Sequence, residues 1–307
     1  MTSAFLVLRN ALVLAATAVV LMQPVSSHAE ALSEMLNARI LEAQRAEAER
    51  LFEVALTSYA QALQISGDTP QAQRMLLKKR AALYEQIKMF EKAEADLTAA
   101  FKVQPFDPKV YAERGYFYLR RGRFKEALDD FVAGSRADPK DPMYLYGGGR
   151  VLVAAKDDTN AIKFYNEAMQ IAPREVKLIV ARAEAYLRLH QYQDAATDYD
   201  QAIALGLKER DQRYFGFTGR GYASLMLSDF GSAARYFSRA LEVSPDSSNV
   251  LLLRGYAYER QGARDLALKD YERAGKGVSD TAQVTIGMDR LRAAVPASGG
   301  GVPPVTR

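Results

Sequence analysis

The chain has 307 residues, of which 49% are hydrophobic and 25% charged, the composition of a folded soluble protein. It has no cysteine and only two histidines, which excludes disulfides, thiolate metal sites, a cysteine nucleophile, a lipid-anchor cysteine and a histidine-rich metal cluster. Lys plus Arg exceed Asp plus Glu by 41 to 37, a mild basic bias that makes no nucleic-acid footprint.

The first 29 residues read as a secretory signal. Arg9 supplies a positive charge, Ala11–Met22 is an unbroken apolar run, and Pro24 breaks the helix. Ser27 and Ala29 place small residues at the −3 and −1 positions of a cleavage site before Glu30. Cleavage after Ala29 predicts a periplasmic protein, secretion or membrane association being the variants of that reading. An uncleaved anchor beginning near Phe5 is the competing reading, although the apolar run is shorter than the roughly 20 residues a membrane span needs. No Asn-x-Ser/Thr acceptor occurs, which suits a bacterial envelope.

Residues 30–73 form a polar, helical N-terminal segment. From Arg74 onward the chain repeats. Pro105, Pro139 and Pro173 fall 34 residues apart, and aligning on them gives frames 74–107, 108–141, 142–175, 176–209, 214–247 and 248–281. The eighth position of each frame is Ala81, Gly115, Gly149, Ala183, Gly221 or Gly255. The twentieth is Ala in all six, Ala93 through Ala267. The twenty-seventh is Ala100, Gly134, Ala168, Ala202, Ala240 or Ala274. Columns filled only by Ala or Gly predict helices that approach too closely for larger side chains. Large residues fill the fourth position (Leu77, Tyr111, Leu145, Ile179, Phe217, Leu251) and the twenty-fourth (Leu97, Phe131, Tyr165, Tyr199, Phe237, Tyr271). Within each half the spacing is i, i+4, i+7, one face of a helix. A turn near position fifteen, at Gly122 and Gly262, makes each repeat a helix–turn–helix hairpin. A degenerate seventh frame covers 36–69, with Phe52, Ala55, Tyr59 and Ala62 on its second helix.

Two insertions, Pro70–Gln73 and Arg210–Arg213, each add about one helical turn. They predict a longer linker or a longer following helix, and blocks of one, four and two repeats. Residues 282–294, carrying Ile286 and Leu291, predict a capping helix over the last repeat. Residues 295–307, with a Gly triplet and Pro303-Pro304, predict a disordered tail.

The run Tyr111, Gly115, Tyr118, Ala127, Phe131, Gly134, Pro139 resembles the tetratricopeptide repeat family, and the resemblance covers 74–281. The family's usual tryptophan is replaced by Leu, Ile, Tyr or Phe. The resemblance implies an all-α superhelical solenoid of about seven hairpins with a C-terminal cap, and a concave groove lined by the first helix of each repeat. At the fifth, ninth and thirteenth positions of those helices stand Tyr116, Arg120, Tyr146, Arg150, Arg188, Tyr222, Tyr256 and Arg260, the expected partner-binding residues. Tyr loses little rotamer entropy and Arg offers a planar donor fork, so an extended peptide with acidic groups suits this surface. The family's clamp for carboxyl-terminal tails needs Lys and Asn at the fifth and ninth positions; here Lys78 is followed by Ala82 and then Glu113, so that ligand is not supported.

Arginine recurs at the seventh position, and an aspartate follows sixteen residues later in Arg80/Asp96, Arg114/Asp130, Arg182/Asp198 and Arg254/Asp270. These predict ion pairs between the two helices of a hairpin. Gly148 and Phe164 change together at the same two positions, and Arg220 faces Tyr236. His190 occupies the turn position of Gly122 and Gly262. Gly147-Gly148-Gly149 lacks the Gly-Lys-Ser/Thr of a phosphate loop and reads as a close helix crossing or a hinge. No residue set selects a catalytic, cofactor or metal site. The expectation is a non-catalytic adaptor binding a polypeptide in the cell envelope, without cofactor, metal or nucleic acid. The alternative is a cell-wall or exopolysaccharide assembly factor contacting glycan or anionic polymer.

Overall fold

The computed structural model describes residues 25–105, 107–276 and 282–293. The signal reading for 1–24, including the apolar run, and the tail reading for 295–307 lie outside the described residues. Fifteen α-helices and no strand occur among the described residues. None of these helices is long and apolar enough to cross a membrane. The chain divides into two compact units, Met1–Phe117 and Tyr118–Arg307.

In the first unit, α1 (Val25–Ala48) packs on α2 (Phe52–Ile65) and α3 (Pro70–Gln86) on α4 (Phe90–Val103); α5 (Pro108–Arg120) follows. Helix α1 runs through the expected cleavage point, where Ala29 and Glu30 are both exposed. In the second unit, α6 (Phe124–Ala137) packs on α7 (Pro142–Ala154), which pairs with α8 (Asp158–Ile171). Three further hairpins follow: α9 (Val176–Arg188) with α10 (Tyr192–Leu205), α11 (Arg210–Met226) with α12 (Phe230–Val243), and α13 (Ser248–Arg260) with α14 (Arg264–Gly275). Both insertions become an extra first turn, so α3 and α11 have 17 residues where α7, α9 and α13 have 13. A whole turn added at a helix end leaves the hairpin packing intact, and the division between the units falls inside α5 rather than at either insertion.

All 18 residues of the three small columns are buried. The N-terminal hairpin obeys the same columns, with Ala43, Ala55 and Ala62 fully buried beside Tyr59. The reason is the ring at position twenty-four. A Cβ on Gly255 would stand 2.9 Å from the Tyr271 ring of its own hairpin, and one on Gly287 would stand 2.7 Å from the same ring. The Tyr271 ring is thus sandwiched between small residues on two helices. Burying such a ring stabilises by roughly 1.5–3 kcal/mol. The glycine triplet is this device used three times: Cβ atoms at Gly147, Gly148 and Gly149 would run into Phe131, Phe164 and Tyr165. It is a close crossing, and the Phe164 ring fills the place that an Arg–Asp pair takes in neighbouring hairpins.

Every hairpin turn places its fifteenth residue in the left-handed region: Arg50, Lys88, Gly122, Lys156, His190, Ser228 and Gly262, with φ from 59° to 76°. The following N–H then returns to a carbonyl five residues back, as from Asp157 to Leu152 at 2.8 Å and from Gln191 to Tyr186 at 2.9 Å. His190 is therefore a turn residue, its Nδ1 2.8 Å from the Tyr192 hydroxyl.

The C-terminal α15 (Ala282–Ala293) lies against α13 and α14. Leu291 is buried and Gly287 meets Tyr271, whereas Ile286 is 55% exposed, so the covering face is Gly287–Leu291. Arg290 fixes the helix by donating from Nε and Nη2 to the Glu259 carboxylate at 3.0 and 3.1 Å.

Candidate functional site: the first-helix face

The seventh-position arginines are structural. Arg80, Arg182 and Arg254 each grip the aspartate sixteen residues on with two hydrogen bonds of 2.6–2.8 Å. The aspartates are buried, and each pair draws the arginine pKa up through that hydrogen bonding. Arg182 and Arg254 also donate back to the preceding hairpin, to Asn166 at 2.6 Å and Ser238 at 2.9 Å. Arg220 lacks the aspartate of its own hairpin and takes Asp200 of the preceding one at 2.7 Å. Its guanidinium lies 4.8 Å from the Tyr236 ring centroid, and Tyr236 donates to the same Asp200 oxygen at 3.0 Å.

The expected binding residues divide into several settings. On α5, Tyr116 is half-buried and Arg120 exposed. On α7, Tyr146 is only 8% exposed, its ring 6.1 Å from that of Tyr165. Lys177 Nζ lies 4.7 Å from the Tyr146 centroid and Arg150 Cζ 5.8 Å from it. Arg188 is exposed and donates to Asp158 at 2.6 Å. Tyr222 stands exposed on α11, in line with exposed Phe215 and Met226. On α13, Arg260 donates to the half-buried Tyr256 hydroxyl at 2.9 Å and lies 4.5 Å from the Phe230 centroid.

These settings converge most closely where α7, α9 and the first turn of α11 meet. A cavity of about 380 Å³ opens there, walled by Tyr146, Val176, Val180 and Phe215. Glu184, Glu209 and Asp211 also line it, with Lys177 as the one cation. Glu184 holds the ninth position of its repeat, the column of Tyr116, Tyr222 and Tyr256. Desolvation of its carboxyl group raises its pKa against the pull of Arg188 and Arg150. Burial likewise pushes up the Tyr165 and Tyr199 hydroxyls. The wall of this cavity is therefore acidic and aromatic. Glu209 does double duty, capping α11 in a reciprocal box with Gln212.

Sequence reasoning missed Glu184, Lys177 and Phe215. Glu184 was readable as the one acidic member of the ninth column. Phe215 and Lys177 both hold the second position of their frames, a column that was not counted among the groove positions. Among the described residues, no three His, Asp or Glu side chains group in a way that could hold a metal ion.

The sequence model described as tetratricopeptide repeat matches residues 82–142, 119–175 and 218–277, together 154 of the 307 residues. Human tetratricopeptide repeat protein 6 is 28% identical over 166 residues, which is 53% of this chain and 31% of that protein. The chain spans about a third or less of the curated relatives it matches first. Among solved structures, a tetratricopeptide repeat protein from Parabacteroides merdae superposes with a TM-score of 0.57 at 15% identity, over 84% of this chain and 99% of that one. YrrB, a TPR protein with an unusual peptide-binding site, superposes with a TM-score of 0.54 at 17% identity, over 63% and 97%. At these identities the likeness is one of fold.

Proposed function

The chain belongs to the tetratricopeptide repeat family, and from that premise we propose that it is a non-catalytic adaptor of the bacterial cell envelope. It binds a polypeptide partner along its first-helix face. Family membership supports protein binding in general, and YrrB, which shares the fold, has a peptide-binding site of its own. The signal-like residues 1–29 support export, with Glu30 as the first mature residue.

The carrying observation is a row of accessible aromatic side chains in the second unit, exposed Phe215 and Tyr222 on α11 and half-buried Tyr256 on α13, with the cavity beside Phe215. Hairpins locked by shared rings and arginine clamps present this row preformed, which limits the ordering cost of binding. The acidic, aromatic cavity suits a basic or apolar side chain of the partner. The arginines along the rest of the row suit its carboxylates. A polypeptide of mixed charge meets both.

Replacing Tyr116, Tyr222 and Tyr256 together with Ala tests the reading. Anchors of this kind contribute about 1–2 kcal/mol each, so capture of the partner from envelope extract by the immobilised protein is expected to fall at least about tenfold. Helicity and melting temperature should change little. Undiminished capture places the binding surface elsewhere, and an intact mass that includes residues 1–29 removes the export step.

A further inference from the structure

The extra turn of α11 faces two ways. Glu209 and Asp211 line the cavity described above. Arg210 and Arg213 line a second one, also of about 380 Å³, completed by Phe217 and by Arg239, Glu242 and Val243 of α12. Three guanidinium groups from two helices thus surround one concave space, with a single carboxylate, Glu242, in its wall.

The forks are held in place without being used up. Arg210 Nη2 donates to the Val243 carbonyl at 3.2 Å, and Arg213 Nη1 donates to the Lys208 carbonyl at 2.8 Å. Arg239 lies over Phe217, its Cζ 4.0 Å from the ring centroid. A guanidinium carries five N–H donors, so one carbonyl bond leaves most of each fork available. Among the described residues, none of these three arginines has a carboxylate within ion-pair distance. Arg80, Arg182, Arg188, Arg220 and Arg254 each hold one at 2.6–2.7 Å.

Folding alone does not call for this arrangement. Cations in the first turn of a helix oppose its dipole, at roughly 0.3–1 kcal/mol each, and three like charges about one cavity repel. Three guanidinium groups against Glu242 leave two positive charges. A phosphate monoester carries about 1.5–2 negative charges at neutral pH and three acceptor oxygens, which matches both the charge and the number of forks. A carboxylate has one charge and two oxygens, and would leave a fork unmet.

The geometry points to a phosphate-monoester site at this cavity, with Arg210, Arg213 and Arg239 as the groups that hold the anion. The ester is either a small soluble molecule or the headgroup of an anionic lipid; the recognition chemistry is shared.

Calorimetric titration of the whole protein with glycerol 3-phosphate, in about 150 mM salt to suppress diffuse attraction, tests the site. Saturable binding with a dissociation constant below about 1 mM is expected, at least about tenfold tighter than for glutarate. The double variant Arg210→Gln/Arg213→Gln should lose about tenfold or more. Glu242→Gln removes the opposing charge without touching the forks and should tighten binding, which keeps the test sharp if the double variant folds poorly. Sedimentation with phosphatidic acid vesicles, against phosphatidylcholine alone, separates the sources. Vesicle binding that the double variant loses assigns a lipid headgroup, and ester binding without vesicle binding assigns a soluble ligand. No saturable binding of either, glutarate binding as tightly as the ester, or unchanged binding in the double variant and in Glu242→Gln overturns the proposal.

Discussion

Helices α3 and α11 received the same alteration and answer it differently. Each gains four residues at its N-terminus and runs for 17. Around α3 the charges are absorbed by the fold: Arg74 lies 3.2 Å from Asp107 and 3.1 Å from Glu113, which also holds Lys78 at 2.7 Å. Around α11 they are left facing outward, with Arg210 and Arg213 met only by backbone carbonyls and Phe215 55% exposed. An insertion of one turn is thus neutral as geometry. Its consequence depends on whether neighbouring helices supply counter-charges. Where they do, the turn is scaffold; where they do not, it is surface chemistry.

The sharpest way to break this contrast is at position seven, which both helices share. Arg80 on α3 holds Asp96, whose side chain is only 8% exposed; Arg220 on α11 holds Asp200, which is 47% exposed. Removing one partner of a buried pair strands the other, at about 3–5 kcal/mol for full burial. With its side chain one-fifth exposed, Arg80→Ala is expected to cost about 2–4 kcal/mol in urea unfolding. Arg220→Ala strands a solvated carboxylate and should cost about 1 kcal/mol. Equal costs would mean that burial of the aspartate does not set the value of the clamp.

A middle-sized effect belongs to the arginines of the lengthened turns. Arg74→Ala leaves Asp107 and Glu113 without their shared cation and should lower stability by about 1–3 kcal/mol. Arg213→Ala loses one carbonyl bond at the surface and should stay within about 0.5 kcal/mol of the parent. A large loss at Arg213 would show that its outward charge is built into the fold, and would weaken the case for a binding role.

Much of the scaffold was legible before any coordinates. Columns of Ala and Gly marked the buried helix crossings, and the sixteen-residue spacing marked Arg80–Asp96, Arg182–Asp198 and Arg254–Asp270. Ala43 escaped notice because the polar residues around it hide a first helix that is small only where it must be. The left-handed turns were visible at Gly122 and Gly262. They were invisible at Arg50, Lys88, Lys156 and Ser228, where the hydrogen-bonded turn imposes a conformation the residue itself does not favour. The Arg220–Asp200 bond escaped because the insertion stretches its spacing to twenty. For the same reason neither cavity at α11 could be read: their walls come from residues about thirty apart that only the helix packing brings together. Of the expected binding residues, sequence position said which helix face they share, and it could not say that Tyr146 is buried or that Arg188 is already held by Asp158.

The smallest effect separates the two carboxylates that face the lengthened helices. Glu113, facing α3, holds two cations. Glu184, beside the first turn of α11, has none within ion-pair distance among the described residues, and desolvation raises its pKa above the ordinary value of 4.5. A carboxyl group whose pKa is higher folded than unfolded binds its proton more tightly in the folded state. The stability this gives is fully present below the unfolded value, and it is lost as pH rises through the folded one. At neutral pH the ionised Glu184 therefore opposes folding. Glu184→Gln should unfold at a higher urea concentration than the parent at pH 7, with the gap closing below about pH 4.5. A gap of the same size at both pH values would mean that the gain comes from packing and not from ionisation. A loss at pH 7 would mean that Arg150 and Arg188 outweigh burial, making this corner of α11 as well neutralised as α3.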